Sequence, residues 1–292
     1  MAAVAAPSEA TDPPPPQFGR YYYEHDCGTP YARNDEWLAW FGQIADDIVS
    51  RLAPSRVLDA GCALGLLVET LREHGVEAWG IDISDFAITQ VHDSVRPYCA
   101  VGSVVDPLPP AFPDRFDLVT CIEVVEHMSP VDGEQAIARL TTLADRILFS
   151  SSPADFGEAT HLNVQPSEHW SALFAQAGFL RNLDFDFRLP TTWTSLYERA
   201  VPEVGEIVRR YDRKLLRDRD EIRELRETAL ELQHRLQELD DAARLARERE
   251  VALARAEKAE AELAELDVML ASRSGRWFRA VQAARRALGR SS

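Results

Sequence analysis

Apolar positions change period several times along the chain. From residue 37 to 52, Trp37, Trp40, Phe41, Ile44, Ile48 and Leu52 recur at helical spacing. Short apolar runs then alternate with amphipathic stretches. Residues 56–60 (RVLDA), 77–83 (EAWGIDI), 98–104 (YCAVGSV), 116–122 (FDLVTCI) and 146–152 (RILFSSS) read as strands. Residues 64–75, 85–95, 134–144 and 167–179 read as helices, with Gly75 and Gly178 as stops. Strands alternating with helices predict an α/β fold, a mostly parallel sheet with helices on both faces. Two more extended runs, 180–188 and 192–199, predict a closing hairpin with an antiparallel edge.

After Pro202 the texture changes. Residues 203–270 hold one glycine and no proline, and apolar positions step by 4 and 3 through Val204, Val208, Tyr211, Leu215, Ile222, Leu225, Ala229, Leu232, Leu236, Leu239, Ala243 and Ala246, broken only at Asp218. A second phase runs through Ala252, Ala256, Ala259, Leu263, Leu266 and Leu270, after a slip near 247–251. A helix of about 65–70 residues would be roughly 100 Å long. The seam predicts a self-associating coiled coil; a solvated single helix is the alternative. Residues 271–292 place Trp277, Val281, Ala284 and Leu288 on one face, with Arg276, Arg279, Arg286 and Arg290 mostly elsewhere. Such a basic amphipathic tail suits an anionic membrane surface or a partner protein. The expected organisation is a disordered Pro/Ala tail (1–20), an aromatic and helical lid segment (21–54), an α/β domain (55–200), the coiled coil and the basic tail.

Charge narrows the partners. The 292 residues carry 32 basic and 48 acidic side chains, net −16. Residues 1–202 hold 12 arginines against 29 acids, −17, whereas the last 25 residues hold six arginines and no acid. An acidic body repels phosphate backbones, which argues against a nucleic-acid partner. No apolar run approaches the roughly 20 residues of a membrane span. The N-terminus has neither the basic nor the apolar region of a secretory signal. Cys27, Cys62, Cys99 and Cys121 are widely spaced, without a zinc or disulfide pattern. A cytoplasmic protein, peripheral at the inner membrane face through its tail, is expected.

The stretch Val57-Leu58-Asp59-Ala60-Gly61-Cys62-Ala63-Leu64-Gly65 carries the most chemistry. A buried strand ends in an acid, turns through small residues and opens a helix. Gly61 and Gly65 allow close ligand approach. Ala63 and Leu66 stand where a dinucleotide fingerprint would have glycines, so the loop suits a cationic ligand rather than a diphosphate. Asp82, ending the second strand, can accept hydrogen bonds from both ribose hydroxyls. These residues resemble the S-adenosylmethionine-dependent methyltransferases with a Rossmann-like seven-stranded sheet, over about 55–200: VLDAGCALG matches the first motif, GIDIS the ribose motif, and FDLVTCIEVVEHM the fourth strand and its exit. Ala63 replaces the usual middle glycine, a mild change on grounds of size. Gly102-Ser103-Val104 stands where the family often has an acid near the adenine amine.

The resemblance implies S-adenosylmethionine as methyl donor, held by Asp59, Gly61, Cys62, Ala63, Gly65, Asp82, Ile83, Ser103, Val104 and Glu123. In the aromatic entry segment Arg33 is a candidate partner of the donor's carboxylate, with simple packing of an added N-terminal helix the alternative. His127 is the candidate general base, a structural histidine the alternative. Tyr22, Tyr31, His161, Asn163 and His169 are candidate acceptor-binding residues. Glu123-Val-Val-Glu126-His127 with His161 is a possible divalent-metal set, not the favoured reading. The motifs joined to a coiled coil and Trp-bearing tail resemble methyltransferases of bacterial surface-polysaccharide synthesis. That implies a glycan or lipid-linked glycan acceptor, methylated on a sugar hydroxyl or terminal phosphate, and a possible glycosyltransferase partner. The alternatives are a small-molecule O-methyltransferase acting on a quinone precursor or natural product, and a noncatalytic coiled-coil scaffold with a vestigial fold.

Overall fold

The computed structural model describes residues 18–27, 29–185, 187, 190–271, 277, 279–281 and 283. The expected disordered tail lies outside them up to residue 17, as do Arg276, Ala284, Arg286, Leu288 and Arg290 of the basic tail. The chain divides into two compact units, Met1–Lys214 and Leu215–Ser292.

In the first unit, α1 (Asp35–Leu52) begins where Asn34 accepts the Trp37 N–H, and it buries Phe41, Ile44, Ala45 and Ile48. There follow β1 (Arg56–Ala60), α2 (Leu66–Glu73), β2 (Glu77–Asp82), α3 (Asp85–Gln90), β3 (Cys99–Val101), β4 (Leu118–Ile122), α4 (Pro130–Leu143), β5 (Arg146–Ser150), α5 (Ser167–Gln176), β6 (Phe179–Arg181) and β7 (Ser195–Arg199). Helix α3 is shorter than its pattern predicts: Val91 turns extended, and the polar run His92-Asp93-Ser94 favours a turn. Helix α4 starts earlier, because Ser129 caps it ahead of Pro130 at its first position.

The strands form one seven-stranded sheet in the order β3-β2-β1-β4-β5-β7-β6. All neighbouring pairs from β3 to β5 are parallel, and β7 runs antiparallel to both β5 and β6. The closing hairpin is therefore present, but its first strand ends at Arg181 rather than 188. Asn182 bends the chain by accepting the Asp184 N–H, and Phe187 turns into the core. Side chains alternate across the sheet: Val57, Leu118, Leu148 and Leu196 face α1 and α2, while Leu58, Val119, Ile147 and Tyr197 face α4 and α5. Strand order reverses between β1 and β4, so the carboxyl ends of β1, β2 and β4 converge on the crevice where such sheets bind ligands.

The turn from β1 into α2 shapes that crevice. Gly61 has φ +88°, and a Cβ there would lie 2.3 Å from Cγ2 of Val124, so both conformation and space demand glycine. Ala63 has φ +46°. Its cost is therefore one of backbone conformation, which the size argument missed.

Helix α6 (Val204–Ala271) runs for 68 residues, continuing into the second unit. Its seam lies open: Leu225, Leu236 and Leu239 are 61%, 64% and 66% exposed. No helix among the described residues is long and apolar enough to cross a membrane. The left-handed backbone at Ala63 yields a direct test. Ala63→Gly should stabilise the α/β unit by about 0.5–1 kcal/mol, the left-handed penalty less glycine's extra chain entropy. Denaturant unfolding checks this; a loss of stability would contradict it.

Candidate active site

Two buried carboxylates stand at neighbouring strand ends. Asp82 closes β2, and its two oxygens accept backbone N–H bonds from Ala63 and Ser84, each at 2.8 Å. Burial raises its pKa, and these two N–H groups pull it back down. Each oxygen retains a lone pair for a further donor. Asp59, near the end of β1, accepts the Thr120 hydroxyl at 2.7 Å. Burial raises its carboxyl to about 7, Thr120 opposes the rise, and the nearby Asp82 charge adds to it.

The exit of β4 supplies the opposite wall. Glu123 sits at φ +52°, and its carboxylate accepts the Trp193 indole N–H at 2.9 Å. A short 3₁₀ turn, Val125–His127, follows. Glu126 is fully buried: Oε1 accepts the Ser152 N–H, while Oε2 has no partner among the described residues. Burial and the adjacent Glu123 push its pKa well up. The Glu126 carbonyl accepts the N–H groups of Leu162 and Asn163, which ties the segment after β5 to the β4 exit.

His127 lies at the meeting point of these segments. Its Nδ1 is 3.0 Å from Thr160 Oγ1, its ring centre is 4.7 Å from that of His161, and Phe18 and Tyr22 meet it edge-on. Burial, then the neighbouring His161, lowers its pKa to about 4 against the opposing pull of Glu158, so the ring is neutral at physiological pH. Phe18 also accepts the Ser84 hydroxyl on its carbonyl at 2.6 Å. The segment from Phe18 thus bridges the exits of β2 and β4.

The structure brings Asp59, Gly61, Ala63, Gly65 and Asp82 together, and likewise Tyr22, Glu126, His127 and His161. Ile83 follows Asp82 with 63% of its surface exposed, and Ser103 lies in the turn after β3, its hydroxyl accepting the Val105 N–H. Tyr31 packs between Tyr23, Trp37 and Phe41, its hydroxyl pKa raised by burial and by Asp59.

Other expected site residues have partners or packing within the protein. Arg33 forms a forked pair with Glu69 at 2.7 and 2.9 Å, so its guanidinium is committed within the protein. The Cys62 side chain turns into the core against Gly80, and its N–H is taken by the Ile81 carbonyl. Val104 is buried in the core beside Phe116. Asn163 is 2% exposed and held between Val125 and Gln165, a loop anchor rather than an acceptor contact. His169 packs its ring edge-on against Trp170 of α5. Thr120, Glu158, Thr160 and Trp193 were missed. Only Thr120 left a trace, as a hydroxyl inside an otherwise apolar strand.

Residues 36–180 match the family described as "Methyltransferase domain". The ubiquinone biosynthesis O-methyltransferase of Nitrosospira multiformis is 36% identical over 107 residues, covering 35% of this chain and 45% of that protein. Its namesake from Nitrosomonas europaea is 30% identical over 143 residues, covering 47% and 57%. The chain thus spans about half the length of these relatives. Among solved structures, the SAM-bound amino pentose methyltransferase CalS10 of Micromonospora echinaspora superposes with a TM-score of 0.45 at 17% identity, over 57% of this chain and 93% of that one. The SAH-bound magnesium protoporphyrin IX methyltransferase of Synechocystis superposes with a TM-score of 0.45 at 19% identity, over 56% and 84%. The matched residues and the sheet order give one conclusion: this chain carries a methyltransferase domain of the class I, Rossmann-like fold.

Proposed function

We propose that the chain is an S-adenosylmethionine-dependent O-methyltransferase acting on a small molecule of the quinone-precursor kind. One observation carries the donor half: two buried carboxylates, Asp59 and Asp82, flank a turn in which Gly61 admits no side chain. The acceptor half is supported by relatives named for O-methylation in ubiquinone biosynthesis. The aromatic edges of Phe18 and Tyr22 around His127 also suit a flat acceptor. A glycan acceptor has less support. Of the polar residues expected to bind a sugar, Asn163 is buried and His169 packs against Trp170.

When bound, S-adenosylmethionine supplies an electrophilic methyl on a sulfonium, open to in-line displacement by an acceptor oxygen. Asp82 offers its remaining lone pairs to the two ribose hydroxyls. Asp59 offers a carboxylate to a cation, and a cation in turn favours its ionised form. His127 takes the hydroxyl proton on Nε2 as the oxygen–carbon bond forms. The Phe18–Tyr22 segment excludes water, and alignment supplies much of the remaining rate.

A second reading has its own observation. Glu126, His127 and His161 bring one ligand atom each within 4.8 Å of one another, and Glu126 Oε2 is buried without a partner among the described residues. These three could hold a divalent ion that polarises the acceptor oxygen. Glu123, the fourth member of the expected set, has its carboxylate bound to Trp193.

The helix α6 supports a further part of the proposal, self-association with a second copy. Its apolar seam keeps a 4/3 stepping from Val204 to Ala246, and its large members are half or more exposed, apart from Tyr211 and Ile222 at 48%. Pairing of two such seams removes that surface from water.

Three outcomes are expected. First, S-adenosylmethionine should bind about tenfold more tightly at pH 8 than at pH 6. The folded Asp59 has a raised pKa near 7, so its carboxylate is lost as pH falls through that value. Calorimetry checks this, with Asp59→Asn expected to be flat; a flat wild-type profile contradicts it. Second, if the metal reading holds, chelator should abolish methyl transfer to catechol-type acceptors without affecting donor binding, and Mg²⁺ should restore it. Full activity in chelator removes the ion. Third, sedimentation equilibrium of the full chain should show a dimer or larger assembly that Leu225→Asp with Leu236→Asp reduces to monomer. A wild-type monomer at micromolar concentration would refute the pairing.

A further inference from the structure

We propose that Glu158 and Thr160 are positioning residues that hold the single proton of His127 on Nδ1 and so keep Nε2 bare. The inference rests on the reading of this site, because a general base and a metal ligand both need that bare nitrogen.

The proton inventory leads to one tautomer. Thr160 owns one hydroxyl proton, and a carboxylate only accepts. Thr160 Oγ1 lies 2.5 Å from Glu158 Oε1, so the hydroxyl donates there. The same Oγ1 lies 3.0 Å from His127 Nδ1 and can serve that nitrogen only as an acceptor. Nδ1 must therefore carry the proton, and a neutral imidazole carries just one.

Glu158 is itself held by two hydroxyls. The Tyr22 hydroxyl donates to Oε1 at 3.4 Å, the oxygen that also takes the Thr160 hydroxyl. His161 is oriented in turn by Nδ1 donating to the Asp155 carbonyl at 2.8 Å. The carboxylate thus fixes the lid through Tyr22 and the tautomer of His127 through Thr160. Asp155, Glu158, Thr160 and His161 lie outside helices and strands, so side-chain hydrogen bonds carry much of this alignment.

The test uses the full chain with three substitutions. Thr160→Val removes the acceptor, Thr160→Ser retains it, and Glu158→Ala frees the Thr160 hydroxyl to donate to Nδ1. Long-range ¹H–¹⁵N correlation of the histidine rings, assigned by His127→Gln, reads the tautomer directly. The wild type and Thr160→Ser should show His127 protonated on Nδ1, Glu158→Ala should move the proton to Nε2, and Thr160→Val should mix the two. With a catechol-type acceptor, kcat should fall about 10- to 100-fold in Thr160→Val and Glu158→Ala, as for partners of a ligating or catalytic imidazole. Thr160→Ser should restore it, and the dissociation constant of S-adenosylhomocysteine should stay within about twofold throughout. A wild-type proton on Nε2, or an unchanged tautomer in both Thr160→Val and Glu158→Ala, overturns the proposal. If S-adenosylhomocysteine fails to bind the wild type, the proposed function falls, while the spectra still decide the tautomer.

Discussion

The Asp82 carboxylate is the crosspiece on which the site depends. It accepts the Ala63 N–H from the turn after β1 and the Ser84 N–H from the turn after β2, and so locks two loops into one frame. Hydrogen bonds to a charged acceptor contribute about 1.5–3 kcal/mol each. The left-handed backbone at Ala63 costs about 1–2 kcal/mol. The bonds outweigh the strain, which explains how a non-glycine residue persists there. With the turn fixed, Gly61 comes to rest against Val124, and the β4 exit is brought over the first turn. The same two loops leave each Asp82 oxygen a further lone pair at the carboxyl end of β2.

Burying acids without cations sets the electrostatics of the crevice. Asp59, Asp82 and Glu126 are all at or below 9% exposure, and burial raises the pKa of each. None of the three shows a lysine or arginine partner among its described hydrogen bonds and ion pairs; Thr120 and backbone N–H groups serve instead. Such a site has a standing deficit of positive charge, which a cationic ligand or ion relieves. The arginine that looked placed to recognise a ligand, Arg33, is committed to Glu69, a fourth buried acid. The guanidinium thus serves the scaffold, while Asp59, Asp82 and Glu126 are served by hydroxyl and backbone N–H donors.

Much of this was legible in the sequence, and the reasons are physical. Strand and helix periods report burial on one or two faces, and burial is what the sheet and its helices impose. Asp59, Gly61, Gly65 and Asp82 sit at junctions of these patterns, so their positions follow from the fold order alone. The β6 strand was overextended because Phe185 and Phe187 are apolar for another reason, packing beyond the Asn182 turn and meeting the Arg51 guanidinium over the Phe185 ring. Glu158, Thr160 and Trp193 left no signal, because irregular segments have no period and their contacts are long-range: Trp193 reaches Glu123 across 70 positions. Asn163 and His169 misled because a polar side chain near a site reads alike whether it faces ligand or anchors a loop. Ala63 was misjudged because residue volume is visible in a sequence and a dihedral angle is not.

The most direct measurement is a calorimetric titration of S-adenosylhomocysteine into the full chain and into Asp82→Asn. An asparagine side chain keeps the shape of Asp82 but loses the charge and one pure acceptor. The account predicts saturable one-site binding to the wild type and at least about 100-fold weaker binding to the variant, the loss of two charge-assisted hydrogen bonds. Equal affinity in the two proteins, or no heat from the wild type, would contradict it.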